Sequence, residues 1–254
     1  MRTLIATGLL LVSSSLLAQD AIPSGTILPV QLLSSIRSDK AKPREEIAAR
    51  VMQDVPLPVG STIHAGAKVI GHFVAAEPND VEGARVSLRF DSLAVNGRKI
   101  PLTTNLRALA SMIEVEQAQV PAMGPDRGTS EFDWNTVQIG GEVNYHGTII
   151  ADGLTPVGKS VPPQGALAQV LASADCRGDL EGTGRPQALW VFSANACGSY
   201  GYPNLILAHA GRSEPVGEII LVSKRGKVNI RSGSGMLLRV DENGAEIQRK
   251  DGNW

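Results

Sequence analysis

The residues able to do chemistry are few and scattered. Four histidines, His64, His72, His146 and His209, form neither an HxH nor an HExxH pattern. A zinc site needs three or four converging ligands. This spacing supplies none, so no metal and no cofactor are expected, and His64 and His72 read as structural or solvated. Covalent hydrolysis needs a nucleophile, a histidine base and an orienting acid. No GxSxG elbow is present; Gly198-Ser199-Tyr200-Gly201 and Gly233-Ser234-Gly235 read more simply as turns. The remaining catalytic combination would bring Ser199 or Asp175 to His146 or His209. The expectation is a chain that is not an enzyme. Gly182-Thr183-Gly184 and Gly140-Gly141 lack the strand, lysine and helix context of a phosphate loop. Asp152, Asp175 and Asp179 lack the repeated Asp-x-Asp of a calcium loop, so they read as solvated turn carboxylates.

What chemistry remains is covalent cross-linking and aromatic contact. Arg2, an apolar run from Leu4 to Val12, and Ser13 to Ala18 have the organisation of a secretory signal peptide over residues 1–18. An uncleaved N-terminal anchor is the competing interpretation. Export would place the chain in the periplasm or outside the cell, where two cysteines most simply form a disulfide, here Cys176–Cys197. Closing a loop of about 20 residues contributes roughly 3 kcal/mol in the chain-entropy view. The loop it would tie, Arg177 to Pro186, is glycine-rich and polar. Aromatics make up 4% of the chain, so each one counts. Trp190 lies on an expected strand, and Tyr200 and Tyr202 follow the second cysteine. Together with Trp134 they would present a face for sugar rings or a partner; alternatively, Trp190 packs over the bridge and the tyrosines cover the core edge. The candidate binding surface is therefore Trp190, Tyr200 and Tyr202, centred on Ala196 to Tyr202.

The elements that must position these residues are mostly strands. Ile22-Pro23-Ser24-Gly25-Thr26-Ile27-Leu28 and Ile63-His64-Ala65-Gly66-Ala67-Lys68-Val69 repeat one phrase. In each, a glycine able to take positive φ lets the chain turn sharply and re-enter a sheet. Strands are expected over Ile22–Leu33, Glu46–Val55, Ile63–Ala76 and Arg85–Asp91, the last with Val86, Leu88 and Phe90 on one side. Asn96-Gly97 between apolar runs signals a hairpin. Leu106, Leu109, Ala110 and Ile113 recur at helical spacing, which predicts a helix over Asn105–Ala118. From Gln119 to Gly165 prolines and glycines predict loops, with one strand from Thr136 to Ile139 or on to Tyr145. Regular strand pattern returns at Ala188–Ser193, Leu205–His209, Gly217–Ser223, Val228–Ile230 and Met236–Val240.

With 27 glycines and 15 prolines serving many turns, and 43% hydrophobic residues to build a core, the expected class is mainly β. The expectation is an antiparallel barrel or sandwich with a loop-rich insertion containing one short helix. One domain spans 22–240: strands from 22–104 and 188–240 build the barrel, 105–187 is the insertion, and 241–254 is a flexible tail. Two sequential β domains are the alternative. The net charge of −1 gives no electrostatic footprint of a nucleic-acid or anionic-membrane partner. No stretch after the leader is long and apolar enough for a helical span.

One resemblance follows from these phrases. Ile22-x-x-Gly25-Thr26-Ile27, Leu32 to Ile36 with Ser38-Asp39, and Ala48-x-x-Val51 with Asp54-Val55 open it. Ile63-x-x-Gly66-Ala67-Lys68-Val69-x-Gly71, Arg85-Val86, Phe90 and Asn96-Gly97-x-x-Ile100-x-Leu102 complete it. This run, residues 22–102, resembles the C-terminal β-barrel domain of the VirB10/TrbI family, the periplasmic scaffold of type IV secretion and conjugation channels. The resemblance implies a noncatalytic, ring-forming or docking β-barrel that self-associates or meets an envelope protein. The family's inner-membrane helix and proline-rich linker are not found in this sequence. A free secreted carbohydrate- or ligand-binding module is the alternative, and a hydrolase the third.

Overall fold

A computed structural model describes residues 21–78, 83–95, 97–119, 133–146, 148–161, 165–171, 176, 184–212 and 214–241. The expected signal peptide and all of the expected tail beyond Asp241 lie outside these residues. The first run carries β1 (Ile27–Leu32), β2 (Ile36–Arg37), β3 (Glu46–Val51), β4 (Val55–Pro56), β5 (Thr62–Ile63) and β6 (Lys68–Glu77). It continues with β7 (Ala84–Val95), β8 (Arg98–Pro101), β9 (Thr104–Ala110) and the helix α1 (Met112–Gln119). Next come β10 (Asp133–Gln138), β11 (Gly141–His146), β12 (Ile149–Asp152), β13 (Thr155–Val161), β14 (Gly165–Ala168) and β15 (Gln187–Ala188). The chain closes with β16 (Gly198–Tyr200), β17 (Leu205–Leu207), β18 (Ile219–Ser223), β19 (Asn229–Ile230) and β20 (Gly235–Val240).

Ten strands form one sheet in the order β16-β9-β20-β1-β3-β6-β7-β18-β17, with β8 hairpinned on β7. All its pairs are antiparallel except β16 with β9. The first and last strands are neighbours, Ile27 opposite Arg239 through Gln31 opposite Gly235. Both sequence elbows do what their glycines allow: Gly25 and Gly66 sit at φ 78° and 93°. Gly25 N–H donates to Val240 O and Gly66 N–H to Val51 O, each at 2.8 Å, so each elbow closes onto a neighbouring strand. The β7–β8 hairpin turns where expected, with Val95 opposite Arg98 and Gly97 at φ 76°. Val86, Leu88 and Phe90 fill the main core with Leu28, Ile47 and Leu238. The two ends of the sheet are bridged singly, by Ser199 Oγ donating to Leu205 O (2.7 Å) and Gly211 N–H to Leu106 O (2.9 Å). No ladder joins them among the described residues, so the sheet is curled and mainly β, but not a closed barrel.

A second sheet runs β10-β11-β12-β13-β14-β15 in chain order, every pair antiparallel. Its ends also come together, because Ile139 N–H donates to Val191 O and Ser193 N–H to Ile139 O, both at 3.0 Å. This sheet packs on the outer face of β1, β9 and β20: Ile27, Ala108, Ala110 and Leu237 meet Ile150, Ala166, Ala168 and Phe192. Those three central strands are therefore apolar on both faces, and all seven residues of β9 are buried.

Three expectations from sequence are corrected. Asn105–Ala110 is strand, and the helix begins only at Met112. A strand buried on both faces needs no alternation, so Leu106-Arg107-Ala108-Leu109-Ala110 matches a helical period by coincidence. The expected strand over Ala188–Ser193 ends at Ala188: Trp190 adopts φ 52°, and Phe192 N–H folds back to Leu189 O (2.9 Å). Within the expected loops of 119–165, Asp133 onward is a meander of short strands rather than a single strand.

Candidate functional site

The seam between the two sheets is where buried polar chemistry concentrates. Gln53 follows β3 and is 6% exposed. Its side chain completes the edge of β14, with Nε2 donating to Ala166 O (3.0 Å) and Oε1 accepting from Ala166 N–H (3.2 Å). The same Oε1 accepts the Trp190 N–H at 2.7 Å, which holds that residue in its left-handed conformation. Such a backbone costs on the order of 1–3 kcal/mol and persists only where its surroundings fix it. Gly165 leaves the necessary space, since a Cβ there would stand 2.6 Å from the Gln53 amide carbon. Gln187, on β15, accepts the Ile27 N–H at 3.0 Å and so stitches the second sheet to β1.

Arg107 makes the third stitch. Between Leu237 opposite Ala108 and Leu238 opposite Leu106 the register of β9 shifts by one residue, so Arg107 is the extra residue of a β-bulge. Bulges re-aim a side chain, and this one turns a guanidinium into the protein. Arg107 is fully buried. Its Nε donates to Ala196 O (2.8 Å), and Nη2 donates to Leu171 O (2.7 Å) and Ala194 O (3.3 Å). Burial lowers its pKa to about 10, so it stays charged at neutral pH. Those carbonyls flank the disulfide. Cys176 and Cys197 are bonded with Cα atoms 5.7 Å apart, and Cys176 Sγ lies 3.7 Å from Arg107 O. Guanidinium and disulfide thus clamp the same two chain segments onto β9.

The aromatic candidates surround this clamp. Trp190 is 3% exposed, so it belongs to the second core and not to a surface. Tyr200 is half-buried; its hydroxyl donates to Cys197 O and accepts Cys197 N–H, both at 2.9 Å, bracing the cysteine's turn. Tyr202, also half-buried, has its hydroxyl 2.8 Å from Ser234 Oγ, and burial raises its pKa. The fold brings Trp190, Tyr200 and the disulfide to one seam, while Tyr202 packs against the main core.

Ser199 gives its hydroxyl to Leu205 O, while Asp175 and the side chain of His146 lie outside the described residues. His64 Nδ1 lies 3.3 Å from Asp54 Oδ2 and His72 Nδ1 2.7 Å from Asp91 Oδ2, both as surface pairs. The Ala65 N–H, first, and His64 hold the Asp54 carboxyl below its usual range. Among the described residues no three of His, Cys, Asp and Glu are grouped to hold a metal ion, and no helix is long and apolar enough to cross a membrane. Compared with known proteins, the chain matches no family model, no curated protein and no solved structure. Sequence reasoning missed Gln53, Gln187 and Arg107. Only Arg107 left a signal, as a lone cation in an otherwise small and apolar run.

Proposed function

We propose that this chain is a noncatalytic exported β protein acting as a binding or scaffold platform in the cell envelope, the role that the VirB10/TrbI-like run of residues 22–102 implies. One observation carries this: the buried polar side chains Gln53, Gln187 and Arg107 all bond main-chain groups across the seam. A catalytic site holds polar groups ready for a reacting molecule. These groups instead fix one sheet on the other, which suits a rigid body that presents its surface to a partner. The Cys176–Cys197 disulfide supports an oxidising compartment, periplasmic or extracellular. A sugar-binding row of stacked aromatics is less well supported, because Trp190 is buried and both tyrosine hydroxyls bond within the protein.

The test is the absolute mass of the purified mature protein by light scattering, with and without detergent-extracted envelope. A discrete ring or a shift into an envelope complex supports the platform. A monomer indifferent to envelope refutes the scaffold role and leaves a free binding module.

A further inference from the structure

A net charge of −1 conceals a strong local asymmetry. The segment 37–44 carries Arg37, Lys40, Lys42 and Arg44, and the segment 224–231 carries Lys224, Arg225, Lys227 and Arg231. Asp39 is the one acid within the two segments, with Glu45 and Glu46 next along the chain. A third of the 24 lysines and arginines thus falls in sixteen residues. The fold joins segments that lie far apart in sequence. β2 pairs with β19, setting Arg37 opposite Asn229; Ser38 N–H donates to Val228 O (3.0 Å), and Val228 N–H returns to Ser38 Oγ (3.1 Å). Asp39 bonds Arg37 at 2.9 Å and approaches Lys227 at 3.5 Å, tying the two turns together with a single negative charge. Apart from half-buried Arg37, every one of these cations is exposed.

A second observation singles out Arg44. Glu45 N–H donates to Lys42 O at 3.1 Å, closing a turn with Pro43 second and Arg44 third. Arg44 sits there at φ 68°, where glycine is free of strain and arginine is not. Glycine would adopt this conformation without strain, yet the turn carries an exposed arginine.

We infer that the turns 37–44 and 224–231 form a docking face for an anionic phospholipid surface. The two runs contain no aromatic residue to stack on a base or a sugar ring. What they offer is a set of flexible cations on adjacent turns, suited to a dense array of phosphate headgroups. Leu33, 47% exposed and two residues before the Ser35 that bonds Ser232, adds one aliphatic group at the rim. The inference rests on the envelope role proposed above and names the surface that role would meet.

The experiment is co-sedimentation of the intact disulfide-bonded chain with phosphatidylcholine vesicles, with and without phosphatidylglycerol. Binding is expected only with phosphatidylglycerol and should weaken as salt rises. Each cation near the surface is worth about five-fold in affinity, so Lys224→Gln with Lys227→Gln should weaken binding roughly 25-fold. Arg44→Gly should bind about five-fold more weakly while melting at a higher temperature, a combination that general destabilisation cannot produce. Equal binding to both vesicle types, no binding to either, or full binding by these variants overturns the inference. So does retention on a soluble sulfated polysaccharide without vesicle binding, which would make the face a glycan site. If the glutamine variants still associate with extracted envelope as the parent does, the platform stands and this face is not its contact.

Discussion

Replacing Arg107 with methionine keeps most of the volume and removes every donor. The carbonyls of Leu171, Ala194 and Ala196 would then lose the guanidinium bonds of 2.7, 3.3 and 2.8 Å. Ala194 O keeps the Leu171 N–H at 3.1 Å, so two acceptors are left without a donor; at about 1–3 kcal/mol each they cost roughly 2–6 kcal/mol. Part of this is returned, because the cation no longer has to be desolvated. Arg107→Met is therefore expected to lose about 2 kcal/mol. The assay is urea unfolding of the oxidised protein, with the slope compared between variants to show that the same surface is exposed. A loss under about 0.5 kcal/mol would mean that the guanidinium does not hold the seam, and the clamp would have to be reassigned to the disulfide alone.

Replacing Cys176 and Cys197 together with serine is expected to cost about 3 kcal/mol. Combined with Arg107→Met, the cost should depart from the sum, since both act on the same segments; strict additivity in a double-mutant cycle would show that they are independent. Gln53→Leu strips partners from the Ala166 and Trp190 amides and should cost about 2–4 kcal/mol, with a change in Trp190 fluorescence as its left-handed turn relaxes. An unchanged emission spectrum would count against Gln53 as the residue that fixes it. Asp54 has its pKa below the usual 3.8, so its contribution is present above that value and lost as pH falls through the folded pKa. Asp54→Asn should lower stability above about pH 4, where the carboxylate's contribution is present, and so flatten the acid limb below it. An acid limb as steep as the parent's would refute the assignment.

Where one face of a strand meets water, its pattern could be read directly. Val86, Leu88 and Phe90 alternate with Arg85, Arg89 and Asp91, and β7 places them as read. The glycine elbows at Gly25 and Gly66 and the Gly97 hairpin were equally plain, because positive φ has a sequence signature. β9 was misread for the opposite reason: a second sheet covers its outer face, so its sequence carries no alternation. The bulge at Arg107 exists only in the pairing of β9 with β20, about 130 residues apart, and no local signal announces it. The strand pattern at Trp190 failed because a glutamine far away in sequence fixes its backbone. The disulfide was predictable from the cysteine count and the leader-like first residues, yet its role beside Arg107 was not. The basic turns were visible as segments, but their union depends on β2 meeting β19.

The central claim is that two sheets act as one rigid platform, and three amide protons sit on the seam that makes it so. Ile27 N–H bonds Gln187, while Ala166 N–H and Trp190 N–H bond Gln53. Native-state hydrogen exchange of these amides, compared with the β1–β20 ladder, reads the seam directly. A single unit predicts opening free energies equal to those of the ladder and to global unfolding. Exchange at the three seam amides orders of magnitude faster than in the ladder would show that the sheets separate on their own, and would contradict the platform.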